Sequence, residues 1–215
     1  MTGIKGSDVF FSDMEIEIGD NLLKKMRRVC EAAGIGRIDM EKKLVAIKLH
    51  FGEYGNLSFL RPNYAKVLAD LVREKGGIPF LTDCNTLYAG CRKNAVEHLD
   101  TAYANGFSPL TTGCQILIGD GLKGSDETLV PINGEYVREA KIGRAVAEAD
   151  VIISLSHFKC HELTGVGGAV KNLGMGCASR RGKMEQHSEE KPLVDEGRCR
   201  GCRECLKACA HGAIS

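Results

Sequence analysis

Leu44-Val-Ala-Ile-Lys-Leu-His-Phe51 is an aliphatic, partly β-branched run of strand length. Such a run reads as a strand buried on both faces, the position a strand takes in a parallel sheet. Working outward from it, Pro62 suits a first helical position. Tyr64, Leu68, Leu71 and Val72 then keep helical spacing until Gly76-Gly77. Ile78-Pro-Phe-Leu-Thr-Asp83 is the next strand, with Pro79 tolerable near its start. A helix is predicted from about Lys93 to Asn105, a strand over 115–119, a hairpin around Thr128-Leu-Val-Pro-Ile132 and a strand over 151–156. Ile142, Ala145, Val146 and Ala149 mark a helix before that last strand. Upstream, Val9-Phe-Phe-Ser-Asp-Met14 reads as a short first strand. A helix capped near Asp20 follows, with Leu22, Leu23, Met26, Val29, Cys30 and Ala33 on one face and Gly34 as its stop. Strands alternating with helices predict an α/β fold, a mostly parallel (mixed) sheet with helices on both faces.

The chain has 215 residues, 43% hydrophobic and 27% charged, with a net charge of +1. That allows one sizeable core and a small appendage. The near-zero charge gives no electrostatic case for nucleic acid or an anionic membrane. No apolar run reaches membrane-spanning length, and Met1-Thr-Gly-Ile-Lys-Gly-Ser-Asp8 is not a signal peptide. Ten cysteines are too few for a stapled secreted scaffold and point to a reducing cytoplasm.

The sharpest motif is Cys199-x-x-Cys202-x-x-Cys205-x-x-x-Cys209, the spacing of a bacterial ferredoxin iron–sulfur run. Soft thiolates on one tight loop can hold three corners of a 4Fe–4S cluster. Zinc sites instead pair two knuckles a dozen or more residues apart, and crowding the first three cysteines within seven residues suits one tetrahedral ion poorly. Ala210 stands where the ferredoxin run carries proline. In two-cluster ferredoxins the fourth cysteine serves the other cluster, so the expectation is a second run beyond Ser215, in a longer protein of which this chain is a fragment, the alternative being that an upstream cysteine completes the first cluster. The predicted organisation is an α/β ligand-binding domain over 1–178, a polar linker over 179–197 and a partial ferredoxin-type domain over 198–215.

In open parallel sheets, ligands bind beyond the carboxyl ends of the strands. His50 and Glu53 follow the first run, Asp83 and Asn85 end the second, and His157, Lys159 and His161 follow the third. If that third strand continues, a period of two puts His157, Lys159 and His161 on one face, suited to an anion, a proton relay or a metal. These three are the candidate catalytic residues. Hydrogen-bonded capping of a sheet edge is the plainer reading. Gly165-Val-Gly-Gly-Ala-Val-Lys-Asn-Leu-Gly-Met-Gly176 reads as a glycine-rich lead-in to a helix. Gly167, Gly168, Lys171 and Asn172 are its candidate ligand contacts, along with His50, Glu53, Asp83 and Asn85. It is neither a P-loop nor a dinucleotide fingerprint, and close helix packing explains it equally simply. Arg61 and Arg92-Lys93 could bind anions, but read more simply as solvated helix starts. Cys84, Cys91, Cys160 and Cys177 are candidates to ligate the cluster or react, though a free cysteine more commonly reads as a small buried hydrophobe.

His157-Phe-Lys-Cys-His161, the Gly165–Gly176 stretch and the cysteine run together resemble an iron–sulfur family, domain of unknown function 362. Ala46-Ile-Lys-Leu-His-Phe-Gly-Glu53 and Leu81-Thr-Asp-Cys-Asn-Thr86 resemble its earlier blocks. The resemblance implies an α/β domain followed by a ferredoxin domain with two 4Fe–4S clusters, and no reaction. A fainter similarity, to lactate racemases with a nickel-pincer nucleotide, rests on His and Lys around a glycine-rich stretch. The expected function is an iron–sulfur oxidoreductase or electron-transfer protein with a redox partner protein or a small anionic ligand. The alternative is a non-catalytic binding or maturation module with a structural cluster.

Overall fold

The computed structural model describes residues 6–162, 164–187 and 194–208. Four strands form one sheet: β1 (Leu44–Lys48), β2 (Ile78–Asp83), β3 (Gln115–Ile118) and, after two further strands, β6 (Val151–Ser154). Their order is β3-β2-β1-β6 and every pairing is parallel. The antiparallel pairs lie outside that sheet. β4 (Glu127–Pro131) pairs with β5 (Glu139–Gly143), and β7 (Lys159–His161) pairs with β8 (Gly165–Gly167). Pro79 lies opposite Val45, just before pairing with β3 begins at Phe80, so its missing N–H costs that ladder nothing.

Helices flank the sheet. α1 (Leu22–Ala32) starts where the Asn21 side chain accepts from Leu23 N (3.1 Å) and Lys24 N (3.0 Å), one residue beyond the predicted cap. α2 (Pro62–Glu74) begins with proline at its first position, where no intrahelical donor is needed. α3 (Ala95–Ala104) is capped by Asn94, whose side chain accepts from Glu97 N at 3.0 Å. α4 (Pro109–Thr112) and α5 (Arg144–Ala147) are single turns. The main core joins Ile47, Leu49 and Phe51 to Leu68, Ala69 and Leu71 of α2, Leu81 of β2 and Phe107. Each fully buried Leu or Phe contributes about 1.5–3 kcal/mol.

Four expectations change. Residues 9–14 form no strand, and Val9 (89%) and Phe11 (86%) stand in solvent. The strand at 151 stops at Ser154 rather than running to residue 161, and His157 lies in the loop before β7. Gly165–Gly167 is strand β8, leaving only six residues, Ala169–Gly174, for helix α6. The segment read as linker begins with helix α7 (Arg180–Gln186). Its N-cap Ser179 accepts from Gly182 N at 3.0 Å, and its Lys183 is buried. Polar composition hid this helix because its charges are used inward as well as outward. Among the described residues no helix is long and apolar enough to cross a membrane.

Candidate functional site

The chain moves from β1 outward through β2 to β3, then returns to place β6 on the other side of β1. Loops leaving β1 and β6 therefore diverge, and a crevice opens beyond their carboxyl ends. A cavity of about 510 Å³ occupies it. The loop after β1 contributes His50, Gly52, Glu53 and Phe59, the end of β2 and its loop Asp83, Tyr88 and Arg92, and the β6–β7 region Leu155, His157, Lys159 and His161. Gly167, Gly168, Lys171, Asn172 and Met175 close the side nearest α6, and Lys183 of α7 completes the wall.

The floor is an ionic network. Lys48, 1% exposed, sets its Nζ 2.9 Å from Asp83 Oδ1 and donates to Asn172 Oδ1 at 2.8 Å. Arg92, 4% exposed, donates to Asp83 Oδ2 (3.3 Å) and through Nε to Glu53 Oε1 (3.0 Å). His98 Nε2 lies 3.6 Å from Asp83 Oδ2, beyond hydrogen-bond length. Burial pushes the Asp83 carboxyl up, but Lys48, His98 and Arg92 together outweigh it and hold it well below the usual carboxylate range. Burial likewise pushes Glu53 up, and the Arg92 guanidinium brings it below its ordinary value.

Asn172 fastens α6 over this floor. Its Nδ2 lies 3.0 Å from Lys48 O, 2.9 Å from Ser154 Oγ and 3.1 Å from Ser156 Oγ. Gly176 lets the backbone pass close by, since a Cβ there would sit against Asn172 O and 2.7 Å from Lys48 Nζ. Gly52, at φ +89°, makes the turn that sends the β1 loop back across the mouth. Its N–H donates to His50 Nδ1 at 2.8 Å, which fixes that nitrogen as an acceptor. Crowding of the ring and the Arg92 charge push His50 down to about 4, so its imidazole is neutral at physiological pH.

At the far wall, Thr164 N donates to His161 Nδ1 at 3.2 Å, and Lys171 Nζ contacts His161 Nε2. Desolvation and the neighbouring Lys159 charge lower the Lys171 amine below its ordinary value. Lys159 has no ion pair among the described residues. Five basic side chains line the cavity (Lys48, Arg92, Lys159, Lys171 and Lys183) against two acidic ones (Glu53 and Asp83). Lys183 Nζ donates to two carbonyls, Asn85 O (2.9 Å) and Ala178 O (2.8 Å), and burial lowers its amine.

Of the residues singled out from sequence, His50, Glu53, Asp83, His157, Lys159, His161, Gly167, Gly168, Lys171 and Asn172 come together around this one cavity. Asn85 does not reach it. Its Nδ2 donates to Asp120 Oδ1 (2.9 Å) and Gly121 O (2.8 Å) in a buried cluster beneath. The glycine-rich stretch offers no helix N-terminus of useful length, because Gly167 belongs to β8 and α6 is short. Lys48, Arg92 and Lys183 were missed. A lysine inside an otherwise aliphatic strand was the readable signal for Lys48, whereas Arg92, taken as solvated, is buried by the 84–92 loop, whose Thr86 N donates to Arg92 O at 2.9 Å.

Cys199, Cys202 and Cys205 carry free, exposed thiols, while Cys209 lies outside the described residues. Cys199 N donates to Asp195 O at 2.9 Å. Gly201 (φ +64°) and Arg203 (φ +60°) then wind the chain tightly into α8 (Glu204–Ala208). No three His, Cys, Asp or Glu side chains already converge on a metal position among the described residues. Three exposed soft donors on one wound loop nevertheless fit an iron–sulfur cluster chemically, because metal binding and loop ordering are coupled.

Residues 45–212 match the model of the family described as domain of unknown function (DUF362). The thylakoid-associated protein sll1697 of Synechocystis sp. is 27% identical over 173 residues, 79% of this chain and 50% of that protein. The chain thus spans about half the length of that curated relative. No solved structure is significantly similar to it.

Proposed function

The chain belongs to the DUF362 family, and on that premise we propose that it is an iron–sulfur protein whose basic cavity takes a small anionic ligand and exchanges electrons with it. The observation that carries the ligand half is the excess of basic over acidic side chains around a cavity at the strand switch point. Lys48 and Arg92 are satisfied by Asp83 and Glu53, so the charge attraction for an incoming anion falls to Lys159, with the Lys171 amine and the backbone of Gly167 and Gly168 beside it. Phe59, Tyr88, Leu155 and Met175 line the same space and exclude water from the ligand's apolar part. His157 and His161 stand where protons would enter or leave.

For the redox half, Cys199, Cys202 and Cys205 would hold a 4Fe–4S cluster, which supplies one-electron transfer when bound. The family match runs from β1 through the cysteine run, so cavity and thiols belong to one unit of descent. Free thiols in number also suit a reducing compartment such as the cytoplasm.

Anaerobic reconstitution of the full chain with iron and sulfide tests this reading. About four iron and four sulfide per cluster are expected, lost when Cys199, Cys202 and Cys205 become Ser. A colourless protein holding only zinc would remove the redox role. Lys159→Ala should abolish ligand-dependent reoxidation of the reduced cluster. Reoxidation unaffected by that change would instead favour a non-catalytic module.

A further inference from the structure

Two groups that ordinarily donate contact the His161 ring. Thr164 N–H points at Nδ1 (3.2 Å) and the Lys171 Nζ rests against Nε2. A neutral imidazole has one acceptor nitrogen and one N–H. With Nδ1 accepting from Thr164, the ring proton belongs on Nε2. Nε2–H then faces Lys171, and the form of that side chain complementary to it is an amine with its lone pair free. An ammonium would set two donors against each other.

We propose that Lys171 is a carbonyl-condensing residue, its Nζ forming an imine with an anionic aldehyde or 2-oxo acid held in the cavity. This rests on the reading of the cavity as an anion site and goes beyond it by naming the ligand's reactive group. The chemistry is self-contained. The Nζ lone pair attacks the carbonyl carbon, a C–N bond forms and the carbonyl oxygen takes up a proton. Loss of water then breaks the C–O bond and leaves C=N, with no oxidant or reductant consumed. Lys159, exposed to the same cavity and without an ion pair among the described residues, takes the ligand's carboxylate. Lys159 also disfavours a second positive charge at Lys171, and the partly desolvated setting acts in the same direction. His161 acts through Lys171 and is a positioning residue.

The test is reductive trapping on the full chain. The protein is incubated with glyoxylate or pyruvate, treated with cyanoborohydride, digested and mapped by mass spectrometry. Hydride reduces the imine to a stable secondary amine. Lys66, an exposed lysine paired to Asp70, is the internal control. At neutral pH the adduct should fall on Lys171 in clear excess over Lys66, since a lowered amine holds more free base to attack the carbonyl. His161→Gln should move the half-maximal pH of Lys171 labelling upward, towards that of Lys66, whereas a merely structural His161 would leave it unchanged. Labelling of Lys171 no faster than Lys66 across the pH range overturns the proposal, and needs no variant to fold. The thermal shift given by pyruvate without reductant separates the two levels. A shift without an adduct refutes the imine and keeps the anion site. Neither shift nor adduct refutes both.

Discussion

Lys48 and Asp83 form the buried pair on which the cavity floor is built. Neither side chain reaches solvent appreciably, and Arg92 shares the carboxylate. Removing one member of such a set strands the others, at about 3–5 kcal/mol, while removing a pair together is far milder. Lys48→Met should therefore lower the urea midpoint severely, and adding Asp83→Asn should recover part of the loss. A single variant as stable as the parent would show that the pair is not closed in solution. The pH response follows from two depressed groups. Asp83, held below its ordinary 3.8, contributes stability that is full above that value and is lost as pH falls towards its lower folded value. His50, lowered from 6.5 to about 4, leaves the unfolded chain binding more protons between those values, so stability falls as pH drops through that window. The ring is half in solvent, so the slope should be a fraction of one proton. His50→Gln should flatten the midpoint-versus-pH curve between about pH 4 and 6.5 and leave the steeper loss below it. At this scale the sequence was readable where a polar residue ends an apolar run, as at His50, Asp83 and His157. It was opaque where a charge lies within one. Lys48 belongs to an aliphatic strand by its neighbours, and only the partner from β2 explains its tolerance.

Among the elements, the parallel strands were legible because each is a short apolar run between helical segments, and all four appear within three residues of the expected bounds. Residues 9–14 carry the same composition yet find no partner strand, so their apolar side chains stay exposed. Composition states that a strand is affordable, and the sheet's edge decides whether it forms. The short ribbon β7–β8 was hidden because glycine supplies most of β8, and a strand built on backbone pairing has little side-chain signature. Helix α7 was hidden differently. Arg180, Arg181, Lys183 and Glu185 look solvated, yet Lys183 crosses to Asn85 O and Lys141 pairs with Glu185 at 2.6 Å. The Ser179 hydroxyl caps that helix and also donates to Glu127. Ser179→Ala should cost about 1–2 kcal/mol in thermal or urea unfolding, where a true linker would register nothing. Because α7 bears Lys183 into the cavity wall, the same variant should also weaken anion binding more than it weakens the fold.

For the whole molecule, the question is whether cavity and cysteine segment are separable in energy. Among the described residues, the α/β body has its own apolar core, its own ionic floor and helices capped from within, none of which uses residues beyond His187. The described cysteine segment bonds chiefly to itself, through Asp195 to Cys199 and Arg203 to Leu206. Metal-held loops of this kind gain their order from ligation, so their loss should not propagate into a core that stands without them. The full chain with Cys199, Cys202 and Cys205 all changed to Ser should therefore melt within a few degrees of the iron-free parent and keep its thermal shift with an anionic probe such as pyruvate. It should take up no iron and show no ligand-linked redox change. Calorimetry and iron analysis on the two proteins decide it. If the variant loses anion binding along with iron, the cavity depends on the cysteine segment, and the division between a self-supporting body and an electron-carrying appendage is wrong.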